Sequence, residues 1–415
     1  VADDHSIPHP WKPVTTLDDK TFKLLDREYT FDGGAFPVQA ISRGEKLLNA
    51  PVSLLCNGKQ VEWSDFKIVS KNQDVIKLSG RGTVSEISFQ WSGELWFDGL
   101  YSLKLKMIPE GKTGSKIDSF NISWKMPERF AKFVMSPLRN KWHNDQIFLM
   151  PGPSNITARE HLIWLTGHLR GFLWWPESDA NWVNNKNEKP IVISRKDGSV
   201  NVSLNIISKT AKLTKDAVYQ MAFMATPAKD QPKDFRKFHS DGRGVKGQTA
   251  QHIGWGAFHD KLYKDETTTP ASHIPRDTVS YKEAVETWRD RGIAPFTYGM
   301  PGQIGSNTAE YDYFSRTWAT IPSHHHRITK GGEKYMLQRC CGNTGVSDLF
   351  AWRTEQLFKN YPNLGGLYYD VGGSGFCQNT EHGHGGVDAF GKPYFSSGAM
   401  ALRKLLMRIY KIHKK

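Results

Sequence analysis

Cysteine is scarce, with four in 415 residues, at positions 56, 340, 341 and 377. That is too few for a disulfide scaffold, so a chain of this length must hold itself together by burying apolar surface. Adjacent Cys340 and Cys341 cannot bridge each other without strain. No apolar run is long enough to span a bilayer. The N-terminus, VADDHSIPHPWKP, lacks the basic-then-apolar order of a secretory leader, as a mature product or a fragment would. Acidic residues are outnumbered, 42 against 55 Lys and Arg, leaving a formal charge of +13. This balance favours acidic partners such as nucleic acid, anionic lipid, or sulfated and uronic polysaccharides. The positive charges are scattered, with KIHKK at the C-terminus as the densest group, and no nucleic-acid-reading motif accompanies them. Nucleic acid is therefore set aside, and an anionic glycan is retained.

What is present divides into two textures, as 415 residues would for two domains. Up to residue 230 the chain reads as all-β. Alternating runs such as TFKLLDREYTF (21–31), DVIKLSG (74–80), EISFQWSGELWF (86–97) and SFNISWKM (119–126) are separated by turn signals such as Asn57-Gly58 and Asp98-Gly99. Further strands follow at HLIWLTG (161–167), SVNVSLNIIS (199–208) and AVYQMAFMAT (217–226). The expectation is a large antiparallel β-sandwich over 1–230, then a polar, proline-bearing linker over 231–248. After it, strand and helix patterns alternate. HIGWGAF (252–258), IAPFTYGM (293–300), KYMLQRCC (334–341) and GGLYYDV (365–371) read as strands. Helices are expected at 281–292, with Ser280 as N-cap and Gly292 closing it, then at 308–319, 346–362 and 395–415. The last carries Leu402, Leu405, Leu406 and Ile409 on one face. Four βα units over 249–415 make the first half of a (β/α)8-type barrel, completed by further C-terminal sequence or a second chain. An open α/β sheet is the alternative.

The segment GGLYYDVGGSGFCQNTEHGHGG (365–386) carries most of the chemistry. An apolar run ends in Asp370 at a predicted strand tip, and a glycine-rich polar loop follows with Glu381, His382, His384 and Asp388. A β/α barrel presents catalytic groups in this way. Trp255, Tyr298 and Tyr368 lie near predicted strand ends and offer rings on which a sugar's CH face can stack. Alternation sends Tyr368 and Tyr369 to opposite sides, so one faces the barrel axis and the other packs under a helix. Trp174, Trp175 and Trp182 read as core aromatics. The run His324-His325-His326-Arg327 falls on the N-terminal face if it precedes the third strand, or on the catalytic face if 318–322 is itself a strand.

The stretch IWLTGHLRGFLWWPESDANW (163–182), followed by YQMAFMATPAKDQP (219–232), resembles the N-terminal β-sandwich of glycoside hydrolase family 123-like proteins. The later blocks LYYDVGG, CQN and EHGHGG are similar to the barrels of uncharacterised members. The resemblance implies a secreted or periplasmic glycoside hydrolase with a carbohydrate substrate. Family 123 enzymes use a neighbouring Asp-Glu pair at the fourth strand. Here Val371 follows Asp370, and the pair Asp265-Glu266 lies in the loop after the first strand. N-acetylgalactosaminidase activity therefore does not carry over, whereas glycoside hydrolysis with an open substrate does.

Glycosidic cleavage needs one ionised and one protonated carboxyl group. Asp370 is assigned the first role, and Glu381, Asp388 or a residue of later barrel strands the second, with Glu381 taken as the candidate and Trp255, Tyr298, Tyr368, His382, His384 and Asp388 contacting substrate. Two other functions fit the composition: a non-catalytic glycan-binding protein, and a polysaccharide lyase that abstracts a proton beside a uronate. Cys341 and Cys377, with His382 and His384 nearby, raise a Cys/His metal site. Their spacing matches no structural zinc pattern, so buried free thiols are the reading, with no metal and no cofactor expected.

Overall fold

A computed structural model describes residues 1–111, 113–137, 145–149, 155–158, 162–188, 190–239, 247–253, 275, 278–306, 308–330, 333–369 and 376–414. They form two compact units: His5–Asp230 with Val387–Tyr394, and Val1–Asp4 with Gln231–Gly386 and Phe395–Lys415. Among them the only α-helices are four, all in the second unit.

The first unit is antiparallel β throughout its main sheets. A nine-stranded sheet runs, in spatial order, Asp145–Leu149, Phe133–Pro137, Ile163–Thr166, Gly171–Pro176, Ala217–Thr226, Leu100–Pro109, Ile87–Trp96, Val75–Val84 and Glu62–Lys71. A six-stranded sheet orders Asn155–Ala158, Ile191–Lys196, Ser199–Ile207, Phe120–Pro127, Ala50–Cys56 and Lys59–Gln60. Period-two patterning sets which side chains point inward. In Phe120–Pro127, for example, Phe120, Ile122, Trp124 and Met126 are buried while the residues between them are half-buried. Across the gap between sheets Phe120 meets Phe89 at 6.2 Å and Tyr219 at 5.0 Å, and Trp124 meets Phe172 at 6.2 Å. These contacts join the layers into a sandwich. Each such side chain contributes about 1.5–3 kcal/mol through burial.

A five-stranded meander, Thr15–Thr16, Thr21–Leu24, Arg27–Thr30, Gln39–Ser42 and Glu45–Lys46, completes this unit. It is anchored by Arg27, which is 1% exposed. Its guanidinium donates to four backbone carbonyls: Leu25 at 3.1 Å, Ala228 at 2.8 Å, Ala225 at 3.4 Å, and Asp98. Gly99, at φ +87°, accommodates this plug, because a Cβ there would collide with the guanidinium. Tyr29 sits beside it, donating to the Gly99 carbonyl at 2.7 Å and accepting from the Ala225 N–H at 2.6 Å.

In the second unit Ala250–Ile253, Ala294–Gly299 and Gly366–Tyr369 form a parallel sheet in that order. Helices α1 (Thr278–Asp290), α2 (Ala309–Trp318), α3 (Val346–Asn360) and α4 (Ala399–Lys414) follow the sequence pattern closely. Two details differ and one agrees. Ser280 lies inside the first turn of α1 instead of capping it. Gly292 does close the helix, at φ +73°, with its N–H donating to the Arg289 carbonyl at 2.9 Å. On α4 the buried side chains are Leu405, Ile409 and Ile412, whereas Leu406 is 40% exposed.

The larger correction concerns the expected third parallel strand. Glu333–Arg339 pairs antiparallel with His325–Lys330 and with Gln303–Gly305. Among the described residues the parallel sheet therefore has three strands, not four, beside a separate three-stranded antiparallel sheet. The sequence holds the reason: only Gly331-Gly332 separates the two longer strands, a connection suited to a hairpin and too short for a parallel crossover. His325 and His326 thus belong to an antiparallel strand, in neither of the two positions expected for the histidine run.

Candidate functional site

The parallel register decides which rings share a face. His252 lies opposite Phe296, and Tyr298 opposite Tyr368. These four side chains form one aromatic cluster: His252 is 5.3 Å from Phe296, 5.4 Å from Tyr298 and 5.6 Å from Tyr368, while Tyr298 and Tyr368 are 5.7 Å apart. His252 and Tyr298 are buried, but Tyr368 is 47% exposed. The other face of the sheet packs under helices. Ile253 and Leu367 join Tyr281, Val285, Leu357 and Tyr361, and Tyr369 lies against the cluster of Val346, Phe350, Leu405 and Ile409. Burial pushes the Tyr369 hydroxyl well above its ordinary range. Strand alternation has thus sent Tyr369 into the core and left Tyr368 as an exposed ring on an aromatic base. Residue order alone does not mark His252, because its place beside Phe296 depends on which strands become neighbours.

A second constellation forms where the chain after Glu333–Arg339 meets the segment 377–384. The Cys341 N–H donates to the Trp318 carbonyl at 2.7 Å. Cys377 exchanges two backbone bonds with Ser396, at 2.9 and 3.0 Å, and the Gln378 N–H reaches the Ile321 carbonyl at 2.8 Å. A single 3-10 turn, Thr380–His382, follows, with Asn379 as its cap and Gly383 closing it at φ 70°. That turn brings His382 Nδ1 to 3.6 Å from Cys377 Sγ. It also places His384 Nδ1 3.1 Å from Cys341 Sγ. The two sulfurs and a ring nitrogen of His382 all lie within 4.8 Å of one another.

The electrostatics of the pair are asymmetric. A hydrogen bond from Cys341 is the main cause that lowers the Cys377 thiol to about 3, assisted by His384 and by the Asn379 N–H, 3.5 Å from Cys377 Sγ. The same hydrogen bond, together with burial, pushes Cys341 up. All four cysteines are buried and unbridged.

The remaining sequence candidates are distributed differently. Asp370 and Trp255 lie outside the described residues, as do Asp265 and Glu266. Glu381 is exposed on the 3-10 turn, where its N–H donates to Asn379 Oδ1 at 3.0 Å. Asp388 belongs to the sandwich unit, through the segment Val387–Tyr394. It is buried, and its carboxylate accepts from the N–H groups of Asn181 at 2.8 Å and of Phe390 and Lys392 at 2.9 Å. Asn181 Oδ1 returns the contact by accepting from the Ala389 N–H at 2.8 Å. Both carboxylate oxygens are thus committed to backbone, a corrected role for a residue expected to touch substrate. Asp388→Ala removes the acceptor of three backbone donors, that of Asn181 buried and the other two part-buried, and chemical denaturation of the variant is expected to show a loss of about 1–3 kcal/mol. Trp174 is fully buried and packs 6.3 Å from Trp182, as core aromatics do.

Comparison with known proteins places the sandwich. Residues 15–139 match the family model of the glycoside hydrolase 123 third domain. Over those residues the chain is similar to that glycoside hydrolase domain. The match spans the meander and the first strands of both large sheets, upstream of the blocks that carried the resemblance in the sequence. A search of curated protein sequences returns no match. Among solved structures, the galactosidase domain of the alpha-galactosidase-sucrose kinase AgaSK is similar at 8% identity and a TM-score of 0.37, over 89% of this chain and 57% of that one. The alpha-galactosidase from Lactobacillus brevis is similar at 10% identity and a TM-score of 0.34, over 92% and 58%. The heparan sulfate lyase HepC from Pedobacter heparinus is similar at 6% identity and a TM-score of 0.31, over 53% and 37%. The chain spans less than two thirds of the length of these structures.

Proposed function

We propose that this protein hydrolyses glycosidic bonds in a polysaccharide or oligosaccharide outside the cytoplasm, with Asp370 as the ionised carboxylate and Glu381 as its partner. The observation that carries the reading is the glycoside hydrolase 123 domain match over residues 15–139. It is supported by the aromatic cluster of the parallel sheet, whose exposed ring, Tyr368, stands two residues before Asp370 in the sequence. An amphipathic ring held on His252 and Tyr298 offers a sugar a flat apolar surface and a hydroxyl at its rim. The net charge of +13 favours a sulfated or uronic substrate.

The test is a panel of neutral, sulfated and uronic glycans scored for new reducing ends and for unsaturated products. Reducing ends without unsaturation support hydrolysis. Unsaturated products assign a lyase, which the positive charge also suits, and binding with neither product assigns a glycan-binding role. Within the hydrolase reading Tyr368→Ala is expected to weaken glycan binding about three- to tenfold, the worth of one stacked ring at roughly 0.5–1.5 kcal/mol. Isothermal titration with the active glycan checks this, and unchanged affinity removes Tyr368 from the site.

A further inference from the structure

We propose that Cys341, Cys377 and His382 bind one Zn2+ ion through two sulfurs and one imidazole nitrogen, with His384 as a positioning residue. Three donor atoms lying within 4.8 Å of one another are close to the geometry this ion takes. Tetrahedral zinc with ordinary Zn–S and Zn–N bonds separates its ligand atoms by about 3.3–3.8 Å. The Cys377 Sγ to His382 Nδ1 distance of 3.6 Å already falls in that interval. Two thiolates select a soft or borderline ion over Mg2+ or Ca2+.

Metal binding at His382 Nδ1 requires the tautomer in which Nε2 carries the proton. Its Nε2 lies 2.6 Å from the Thr317 carbonyl oxygen. Asn379 Nδ2 lies 3.0 Å from the same Nε2, a longer contact than that to the carbonyl, and a metal at Nδ1 selects the tautomer in which Nε2 donates to Thr317. A ligating histidine that donates its other N–H to a backbone carbonyl is the usual supporting arrangement of zinc sites. His384 is arranged the opposite way. Asn343 Nδ2 donates to the His382 carbonyl at 3.2 Å, which sets the amide orientation, and lies 2.8 Å from His384 Nε2. Nε2 therefore accepts, and the Nδ1 proton of His384 points at Cys341 Sγ, 3.1 Å away. His384 thus supports a thiolate at Cys341 once a metal is bound.

The donors come from chain segments that are already held in place. Cys341 is tied to Trp318, Cys377 to Ser396, and the residue after Cys377 to Ile321, all by backbone hydrogen bonds. Between Phe376 and the start of α4 the described chain has little regular structure beyond the 3-10 turn and two-residue strands. A metal crosslink at Cys341 would fasten that segment. The ligands sit far apart in sequence, and Cys377 precedes His382 by five positions, so no familiar zinc spacing announces them.

The experiment titrates the full chain, reduced and stripped of metal by a chelator, with Zn2+ against a chromophoric competitor, and separately with Co2+ read by absorption. One equivalent of Zn2+ is expected to bind at submicromolar Kd, and Co2+ is expected to give tetrahedral and thiolate charge-transfer bands. Cys377→Ser and His382→Ala should each weaken Zn2+ binding by roughly a hundredfold or more, beyond the effect of losing a supporting partner. His384→Gln should weaken it about 10–100-fold while the cobalt bands persist. Circular dichroism of each variant confirms folding, and His325→Ala, from the exposed histidine run, serves as control. The proposal fails if no stoichiometric Zn2+ binds. It fails equally if Cys377→Ser and His382→Ala bind as the parent does, if His325→Ala abolishes binding, or if Cys341 and Cys377 isolate as a disulfide that takes no metal after reduction. None of these readouts depends on glycan turnover.

Discussion

If the proposed hydrolase reading holds, Asp370→Asn is expected to lower turnover of the active glycan by about 10²–10⁴-fold, the range over which an essential acid, base or nucleophile contributes, while leaving the affinity for that glycan near the parent value. The substitution keeps the side chain's size and removes only its charge, so a loss confined to kcat marks a group acting on the reacting bond. Reducing-end kinetics alongside calorimetric binding separate the two quantities. Equal activity in parent and variant would end the carboxylate assignment at this position. Glu381→Gln provides the companion measurement, since the proposed pair requires that it also depress kcat. An exposed Glu381 that changes nothing would move the second carboxyl elsewhere.

Arg27→Met is expected to be the most damaging single change in the sandwich unit. The guanidinium is desolvated, and burial draws its pKa below the ordinary arginine value. It persists because four carbonyls from separate turns and strands surround it. Methionine fills much of the volume but returns no donors, so those carbonyls lose their partners inside a closed site. A cost of about 3–5 kcal/mol follows from stripping one side of a buried polar arrangement. For a domain near this size that corresponds to a melting temperature lower by roughly 10 °C or more. Arg27→Lys keeps charge and part of the length but lacks the planar fork, and should fall between the two. A thermal melt of the Met variant within about 2 °C of the parent would show that the site relaxes without the guanidinium.

Much of this architecture could be read directly from residue order. The alternation in SFNISWKM and EISFQWSGELWF specifies inward-facing Phe120, Trp124, Phe89 and Trp91, and those residues are buried. The helical periodicity of 346–362 and 395–415 likewise gives α3 and α4 to within a few residues. The alternation of Tyr368 and Tyr369 needed only the two-residue period of a strand. What could not be read was partner choice. KYMLQRCC has the composition of a buried strand in either kind of sheet, and composition does not say which neighbour it will pair with.

The site shows the same division. Sequence alone determined that Cys377, His382 and His384 share one short loop, that Tyr368 ends a strand, and that Asp370 follows it. Local period and turn chemistry are properties of neighbouring residues, so they survive without knowledge of the fold. Tertiary structure decided that Cys341 joins that loop, that His252 supports Tyr368, and that Asp388 spends its charge on the sandwich unit. Each of these depends on contacts between residues far apart in the chain, whose pairing is set by the packing of whole elements and by which buried donors must find acceptors.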